Sequence, residues 1–433
     1  MDVTASAATS SLPLALSAKA RRTGDSPINA LIAAKLANPD LVNFAAGLVD
    51  EETLPVSEAA AITGRIFSDD RRGQRALQYG TTLGLRPLRE QLIAHLERLD
   101  GRHVGDLGLS ADDLLVSTGS QQALYLIADA MLDPGDIVIT ANPSYFVFTG
   151  ALQSLGARVL AVPMDDRGMD VDAVERLLGD LERRGELARV KFVYCTSFFD
   201  NPTGLSLSTP RRQKLVQVVG QFSRDHRILI LEDAAYRELR YDGEPLPSIK
   251  SFDPDNQFTI LTQTFSKPFA PGIKLGYTAM PADLLEQVLH QKGSHDFGSS
   301  NVCQEIALEA MTDGSYAQHL ELLKAGYRRK RDATLTALSV HLTESAELHW
   351  TRPDGGLYVW LTLPPRVDTS REGRLFDRCV KYGVLYVPGA YSFHPDATDR
   401  VPSHHMRLCF GQVRMEEIAP GIERLAEAIR AEM

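Results

Sequence analysis

The feature that most constrains this chain is an alternation of short apolar runs with helical patterns through its middle. Seven segments read as strands: Asp113–Ser117, Ile137–Thr140, Arg158–Pro163, Val190–Tyr194, Ile228–Asp233, Phe258–Gln263 and Gly276–Met280. Several are apolar at consecutive positions, the pattern of a strand covered by helices on both faces. Helical patterns separate many of them. Leu124, Ile127, Ala128 and Met131 recur with helical spacing between Ser120 and Leu132. Thr209-Pro210 opens another helix, with threonine expected at the cap and proline in the first turn. Such an order predicts an α/β protein with a mostly parallel seven-stranded sheet. After Gly314 the pattern changes to a long charged amphipathic stretch, Tyr316 to about Leu342, followed by short strands and helices. These predict an arm over residues 1–40 carrying a short helix, Ile28 to Ala37. A large domain over 41–315 and a smaller C-terminal α+β domain over 316–433 follow it.

Composition narrows the function classes. The 433 residues are 44% hydrophobic, enough for two or three packed domains. A net charge of -10 repels phosphate backbones, which argues against a nucleic-acid partner. The basic clusters Arg71-Arg72 and Arg328-Arg329-Lys330-Arg331 are the exceptions, and the second reads as the solvated face of a helix. Cys195, Cys303, Cys379 and Cys409 lie far apart without paired spacing, so reduced thiols are expected rather than a zinc knuckle or a disulfide framework. No apolar run approaches the ~20 residues of a membrane span. The apolar stretch Leu12 to Leu16 precedes Lys19, Arg21 and Arg22, the reverse of the order in a secretory signal. A cytoplasmic protein with neither a membrane nor a nucleic-acid partner is expected.

Ligands of open α/β sheets bind outside the carboxyl ends of the strands. Four polar groups fall there. Thr118-Gly119-Ser120-Gln121 precedes an apolar helix, whose N-terminus offers free amides to an anion, although an ordinary cap explains Ser120 equally well. Asn201-Pro202-Thr203-Gly204 makes a fixed turn, and Asn201 either serves that turn or donates into a cleft. Asp233 closes an apolar strand, with Tyr236 three residues on; a carboxylate there is costly without a cation, and a structural salt bridge is its plainest explanation. Lys267 ends Thr264-Phe265-Ser266-Lys267 before a Pro/Gly loop, a placement that suits a desolvated, reactive amine. Together the set matches the needs of pyridoxal phosphate (PLP): an anion cradle, a carboxylate for the ring nitrogen, donors to the ring oxygen and an amine that bonds the cofactor.

At this point the chain resembles the fold-type I, class I/II aminotransferases, especially the branch with aromatic, 2-aminoadipate and kynurenine aminotransferases. The likeness runs from about Asn43 to the C-terminus. It rests on Leu77-Gln78-Tyr79-Gly80, Gly119-Ser120-Gln121-Gln122, Asn201-Pro202-Thr203-Gly204, Glu232-Asp233, Tyr236, Phe265-Ser266-Lys267 and Met406-Arg407-Leu408, in matching order and spacing. The resemblance implies a fold-type I PLP-dependent transferase that moves an amino group between an L-amino acid and a 2-oxo acid by a ping-pong mechanism. It implies that Lys267 bonds the cofactor and then acts as the base, and that Asp233 holds the ring-nitrogen proton. Asn201 and Tyr236 would bond the ring oxygen, and Tyr145 would stack on the ring. Ser120, Gln121, Thr264, Ser266 and Lys274 would hold the phosphate, joined by Tyr79 of a neighbouring subunit in a homodimer with shared active sites. Arg407 would clamp the substrate α-carboxylate, and Gly47 would line the substrate site together with Asn201. No metal is implied. Three positions depart from the family pattern: Lys274 where arginine is usual, Asp200 where a neutral amide is common, and Ala234-Ala235 where Asp-Pro is usual.

Relatives on this fold also perform elimination, decarboxylation, cyclisation or oxidation with the same lysine and aspartate, so the motifs alone leave these open beside transamination. An effector-sensing regulator would need a DNA-binding module, and the residues ahead of the likeness show no helix-turn-helix pattern. A dinucleotide enzyme would need Gly-x-Gly-x-x-Gly after a strand, which is absent from the sequence. His394, His404 and His405 lack zinc-protease spacing and read as surface or loop residues.

Overall fold

A computed structural model describes residues 14–25, 27–395 and 400–433. Leu12 of the N-terminal apolar stretch, and the arm before it, lie outside these. Among the described residues fourteen strands form, in chain order β1 (Val42–Asn43), β2 (Leu114–Ser117), β3 (Ile137–Asn142), β4 (Arg158–Asp165), β5 (Gly168–Met169), β6 (Val190–Thr196) and β7 (Leu229–Asp233), then β8 (Thr259–Thr264), β9 (Gly276–Ala279), β10 (His349–Trp350), β11 (Tyr358–Thr362), β12 (Val384–Leu385), β13 (Val387–Pro388) and β14 (His405–Cys409).

The main sheet runs β2-β9-β8-β7-β6-β3-β4-β5. All seven expected strands are in it, and the two-residue β5 is an added hairpin partner of β4. Pairings among β3, β4, β6, β7 and β8 are parallel, whereas β9 runs antiparallel to both β2 and β8. This topology brings the carboxyl ends of β2, β3, β6, β7 and β8 to one edge and turns the start of β9 back to that same edge. The runs read as continuous apolar segments because alternate residues fill cores on opposite faces. Leu229 and Leu231 of β7 pack with Phe192 and Tyr194 of β6 on one side. Ile228 and Ile230 pack with Val193 and Cys195 on the other.

The second sheet, β10-β11-β14-β13, is antiparallel and smaller. The helix Ser315–His341 leads to it and packs on the C-terminal helix Met415–Arg430. The basic cluster on the first of these is only half solvated. Arg328 and Arg329 are exposed, but Lys330 and Arg331 are each 7% exposed. Lys330 pairs with Asp50 at 3.0 Å and Arg331 with Asp242 at 2.6 Å, because helical periodicity turns these two inward. Arg72 likewise pairs with Glu305 and Glu309. The helix Pro27–Ala37 forms as expected, and Lys19 ahead of it pairs with Asp129 at 3.0 Å. The cap of the helix Thr209–Phe222 is Ser208 rather than Thr209, which is already helical. His394 and His404 lie in loops as expected, though His394 is buried, whereas His405 lies in β14, stacked on Trp360 at 5.5 Å, and is neither a surface nor a loop residue. All four cysteines are free, and among the described residues no helix is long and apolar enough to cross a membrane.

Candidate active site

The common edge of the main sheet and the inner face of the second sheet enclose a cleft of about 310 Å³. Beyond β2, Gly119 takes φ +75 and caps the helix Ser120–Met131 without a side-chain bond. Ser120 is therefore the first helical residue and not its cap. The chain packs so closely here that a Cβ on Gly276, at the start of β9, would sit 2.5 Å from the Ser120 amide nitrogen. The helix N-terminus and Ser120, Gln121, Thr264, Ser266 and Lys274 line one end of the cleft. Thr264 Oγ1 accepts from the Ser266 amide at 3.1 Å, which folds the turn ahead of Lys267. Lys274 is exposed and left-handed at φ +51, and among its described neighbours it forms no ion pair. Free amides, hydroxyls and a cation at one helix end suit a phosphate.

Lys267 projects from just past β8 and donates to the Gly47 carbonyl at 2.8 Å. Desolvation, aided by the nearby Arg407 charge and opposed by Cys409, lowers its amine from 10.5 to about 8. Asp233 ends β7, 5% exposed. Its carboxylate accepts from Tyr194 Oη at 3.0 Å and from the Ala235 amide at 3.1 Å. Neither partner is a cation, so the salt bridge expected from sequence is absent, and burial raises the group to about 6. A buried carboxylate held by two neutral donors fits a protonated ring nitrogen.

Arg407 enters from β14 of the second sheet and is 2% exposed. Its Nη1 donates to Asn201 Oδ1 and its Nη2 to the Ala45 carbonyl, both at 2.8 Å, while Nε is buried without a partner. No carboxylate among the described residues pairs with it. The guanidinium lies 4.5 Å from the Tyr358 ring centre. Tyr358 Oη bonds Tyr236 Oη at 2.6 Å, and a Cβ on Gly47 would meet that same oxygen at 2.8 Å, which is why glycine fits there. Tyr145 flanks the cleft, its hydroxyl 3.4 Å from Gln121 Oε1.

The structure thus gathers Gly47, Ser120, Gln121, Tyr145, Asn201, Asp233, Tyr236, Thr264, Ser266, Lys267, Lys274 and Arg407 around one cleft. Tyr79 is not among them. It is 86% exposed, beside exposed Phe297, and does not line the cleft of its own chain. Sequence reasoning missed Tyr194, Thr196 and Tyr358. Tyr194 reads as core within an apolar run, and Tyr358 reaches the site from a different sheet.

Fold and site together define a PLP enzyme of fold type I. The sequence matches the family described as Aminotransferase class I and II over residues 39–425, and the chain belongs to that family. It is similar to an aromatic-amino-acid aminotransferase of Thermococcus litoralis, 36% identical over 91% of this chain and 89% of that one. It is also similar to a 2-aminoadipate transaminase of Thermus thermophilus, 32% identical over 90% and 91%. The solved kynurenine aminotransferase of Pyrococcus horikoshii superposes with a TM-score of 0.87 at 33% identity, covering 96% of this chain and 97% of that one. The protein is a PLP-dependent aminotransferase.

Proposed function

We propose that both half-reactions of this aminotransferase run in the one cleft, with Lys267 moving the α-proton and Arg407 holding the α-carboxylate of each substrate. The observation that carries this is a set of three buried ionisable groups at one site: a lowered amine, a carboxylate without a cation and a guanidinium without an anion. PLP, when bound, supplies an electron sink at the substrate α-carbon. Asp233 would hold the ring-nitrogen proton as an anion. Ser120, Gln121, Thr264, Ser266 and Lys274 would hold the phosphate, and Tyr145 would cover the ring. Tyr236 and Asn201 would donate to the ring oxygen, and Asn201 also accepts from Arg407. Once freed, the Lys267 amine is a base at neutral pH because burial has lowered its proton affinity. Gly47 leaves room for the substrate under Tyr358.

The relatives' substrates, aromatic amino acids, kynurenine and 2-aminoadipate, support an L-amino acid with a long or aromatic side chain as donor. We further propose a cytoplasmic homodimer in which Tyr79 reaches the partner's phosphate site; exposed Leu77, Tyr79 and Phe297 support a buried contact there. The helix beginning at Ser315 is the proposed junction of a large and a small domain. A spectral titration tests the function: purified, PLP-loaded protein should bleach with one class of amino acid and recover its absorbance with a 2-oxo acid. A protein that bleaches with no amino acid, or releases carbon dioxide or ammonia instead of recovering, would refute it.

A further inference from the structure

Gln122 closes the stretch Gly119-Ser120-Gln121-Gln122, yet unlike Ser120 and Gln121 it does not line the cleft. Its side chain turns back toward the start of its own helix. Oε1 accepts from the amide of Thr118, a cleft-lining residue, at 2.8 Å. Gly119 has no side chain to cap the helix Ser120–Met131, so Gln122 supplies from inside the helix the tie that a capping side chain gives elsewhere.

Gln122 is held from behind by a buried lysine. Lys292 stands in the last turn of the helix Ala282–His295 and is fully buried. Its Nζ donates to Gln122 Oε1 at 3.0 Å, to the Asp296 carboxylate at 2.8 Å and to Ser299 Oγ at 3.2 Å. Asp296 accepts in turn from Gln122 Nε2 at 2.6 Å, and Thr118 Oγ1 stands 3.2 Å from Ser299 Oγ. These bonds close a ring between two loops, 118–122 and 296–299.

We propose that Lys292 is a positioning residue for the phosphate end of the cleft, acting through Gln122 on Thr118 and the helix start. A lysine is normally solvated, and burying its charge is costly without the counter-ion that Asp296 provides. The donor inventory fixes the rest. The three ammonium protons serve Gln122, Asp296 and Ser299. The two lone pairs of Gln122 Oε1 are taken by Lys292 and the Thr118 amide, and the two Nε2 protons are directed at Asp296 and, at 3.3 Å, His295 Nδ1. Turning the side-chain amide over would set donors against an ammonium and an N–H, so Gln122 has one orientation. The base of the ring is rigid too. Between Asp296 and Ser299 the chain passes through Phe297 at φ +61 and Gly298, where a Cβ would meet the Thr81 carbonyl oxygen at 2.9 Å. Thr82 Oγ1 donates to the Phe297 carbonyl at 2.9 Å. The first amides of a helix have no intrahelical partner, so their aim at an anion depends on where the helix start is held. Lys292 fixes that place without itself lining the cleft. Without it, Gln122 is free to rotate and release Thr118, and Asp296 is left as an unpaired anion beside Thr118.

The inference rests on the reading of this end of the cleft as the phosphate site, and pyridoxal, which lacks the phosphate, separates the two. Dissociation constants for PLP and for pyridoxal would be measured by equilibrium dialysis, with melting temperatures as the folding control. The proteins are wild type, Lys292→Met, the double variant Lys292→Met/Asp296→Asn, and Gln122→Ala. Wild type should hold PLP far more tightly than pyridoxal. Lys292→Met should weaken PLP roughly tenfold, the loss of about one charge-assisted hydrogen bond, and leave pyridoxal within about twofold. The double variant removes the unpaired carboxylate but leaves the loop loose, so it should recover only part of that loss. Gln122→Ala keeps the Lys292–Asp296 pair and should show the same phosphate-specific loss. Equal losses of PLP and pyridoxal, or no loss of PLP, would overturn the inference. Full recovery in the double variant would overturn it as well, by reducing Lys292 to a counter-ion. Wild type holding both ligands alike would remove the reading of the phosphate site, and the inference with it. Should Lys292→Met fail to fold, Gln122→Ala still decides.

Discussion

Replacing Arg407 by methionine separates substrate recognition from structure. The guanidinium makes two hydrogen bonds to the protein, to Asn201 and Ala45, and Nε makes none. Those bonds contribute about 1 kcal/mol each net. The charge itself lies buried without an anion, and replacing such a charge by an apolar chain of similar length recovers part of its desolvation cost. Stability should therefore change by no more than about 2 kcal/mol, a few degrees in Tm for a chain of this size. Recognition behaves differently. A fully desolvated charge pair with a substrate carboxylate is worth about 2–5 kcal/mol when one partner is removed. At 1.4 kcal/mol per tenfold, kcat/KM falls by roughly 30-fold to 4,000-fold. Single-turnover half-reactions, one with the amino acid and one with the 2-oxo acid, should show losses of similar size, because both present the same carboxylate to the same fork. Loss confined to one substrate would refute the common clamp. A large fall in Tm with substrate affinity intact would show Arg407 to be a structural strut.

Further outcomes follow from the same geometry. Covalent attachment of PLP to Lys267 requires the neutral amine, so its rate should rise with pH and level off near 8 rather than above 10; at pH 7 about a tenth of the amine is then neutral, against about 0.03% for an unshifted lysine. Arg407→Met removes a charge that lowers this amine and should move the midpoint upward, whereas a midpoint unchanged from free lysine in wild type would refute the desolvated site. Lys267→Ala should fold but carry no borohydride-fixed cofactor, and peptide mapping that finds PLP on another lysine would refute the assignment. Lys274→Ala should weaken PLP binding several-fold while Lys274→Arg matches or improves on wild type, since an exposed ion pair is worth up to about 1 kcal/mol; equal affinities would show that Lys274 does not hold the phosphate. Mixing Lys267→Ala with a strongly impaired Tyr79 variant should restore activity through hybrid dimers, and a fully active monomer would exclude a shared site.

Much of this was legible in the sequence, for identifiable reasons. The strands were, because two-sided burial leaves unbroken apolar runs, as in Ile228-Leu229-Ile230-Leu231. Their ends slipped by one or two residues where pairing decides them: β4 runs on to Asp165 through its hairpin with β5, which sequence reading did not find. The Arg328–Arg331 cluster was misread because like charges suggest solvent, while its partners Asp50 and Asp242 lie hundreds or tens of residues away in the chain. Asp233 was expected to find a cation and found Tyr194, a contact that depends on β6 and β7 lying side by side in parallel register. Tyr358 gave no signal at all, since its strand belongs to the second sheet and only the packing of the two sheets brings it to Tyr236.

The same packing explains why two opposite charges share the cleft without neutralising one another. Asp233 is fixed at the end of β7 by Tyr194 and Ala235, within the first sheet. Arg407 is fixed on β14 by Asn201 and Ala45, within reach of the second. Each is held by neutral partners that satisfy part of its hydrogen-bonding capacity and none of its charge. Contact between them would close the cleft as a structural salt bridge and leave neither free for a ligand. Held apart, they ask for a cation at one end and an anion at the other, with the lowered amine of Lys267 between sheet and cleft as the reactive group. On the proposed reading, a ring nitrogen that carries a proton would answer the first and an amino acid's carboxylate the second. On that reading, part of the folding free energy lost by burying both charges unpaired would return as binding energy when cofactor and substrate are both bound.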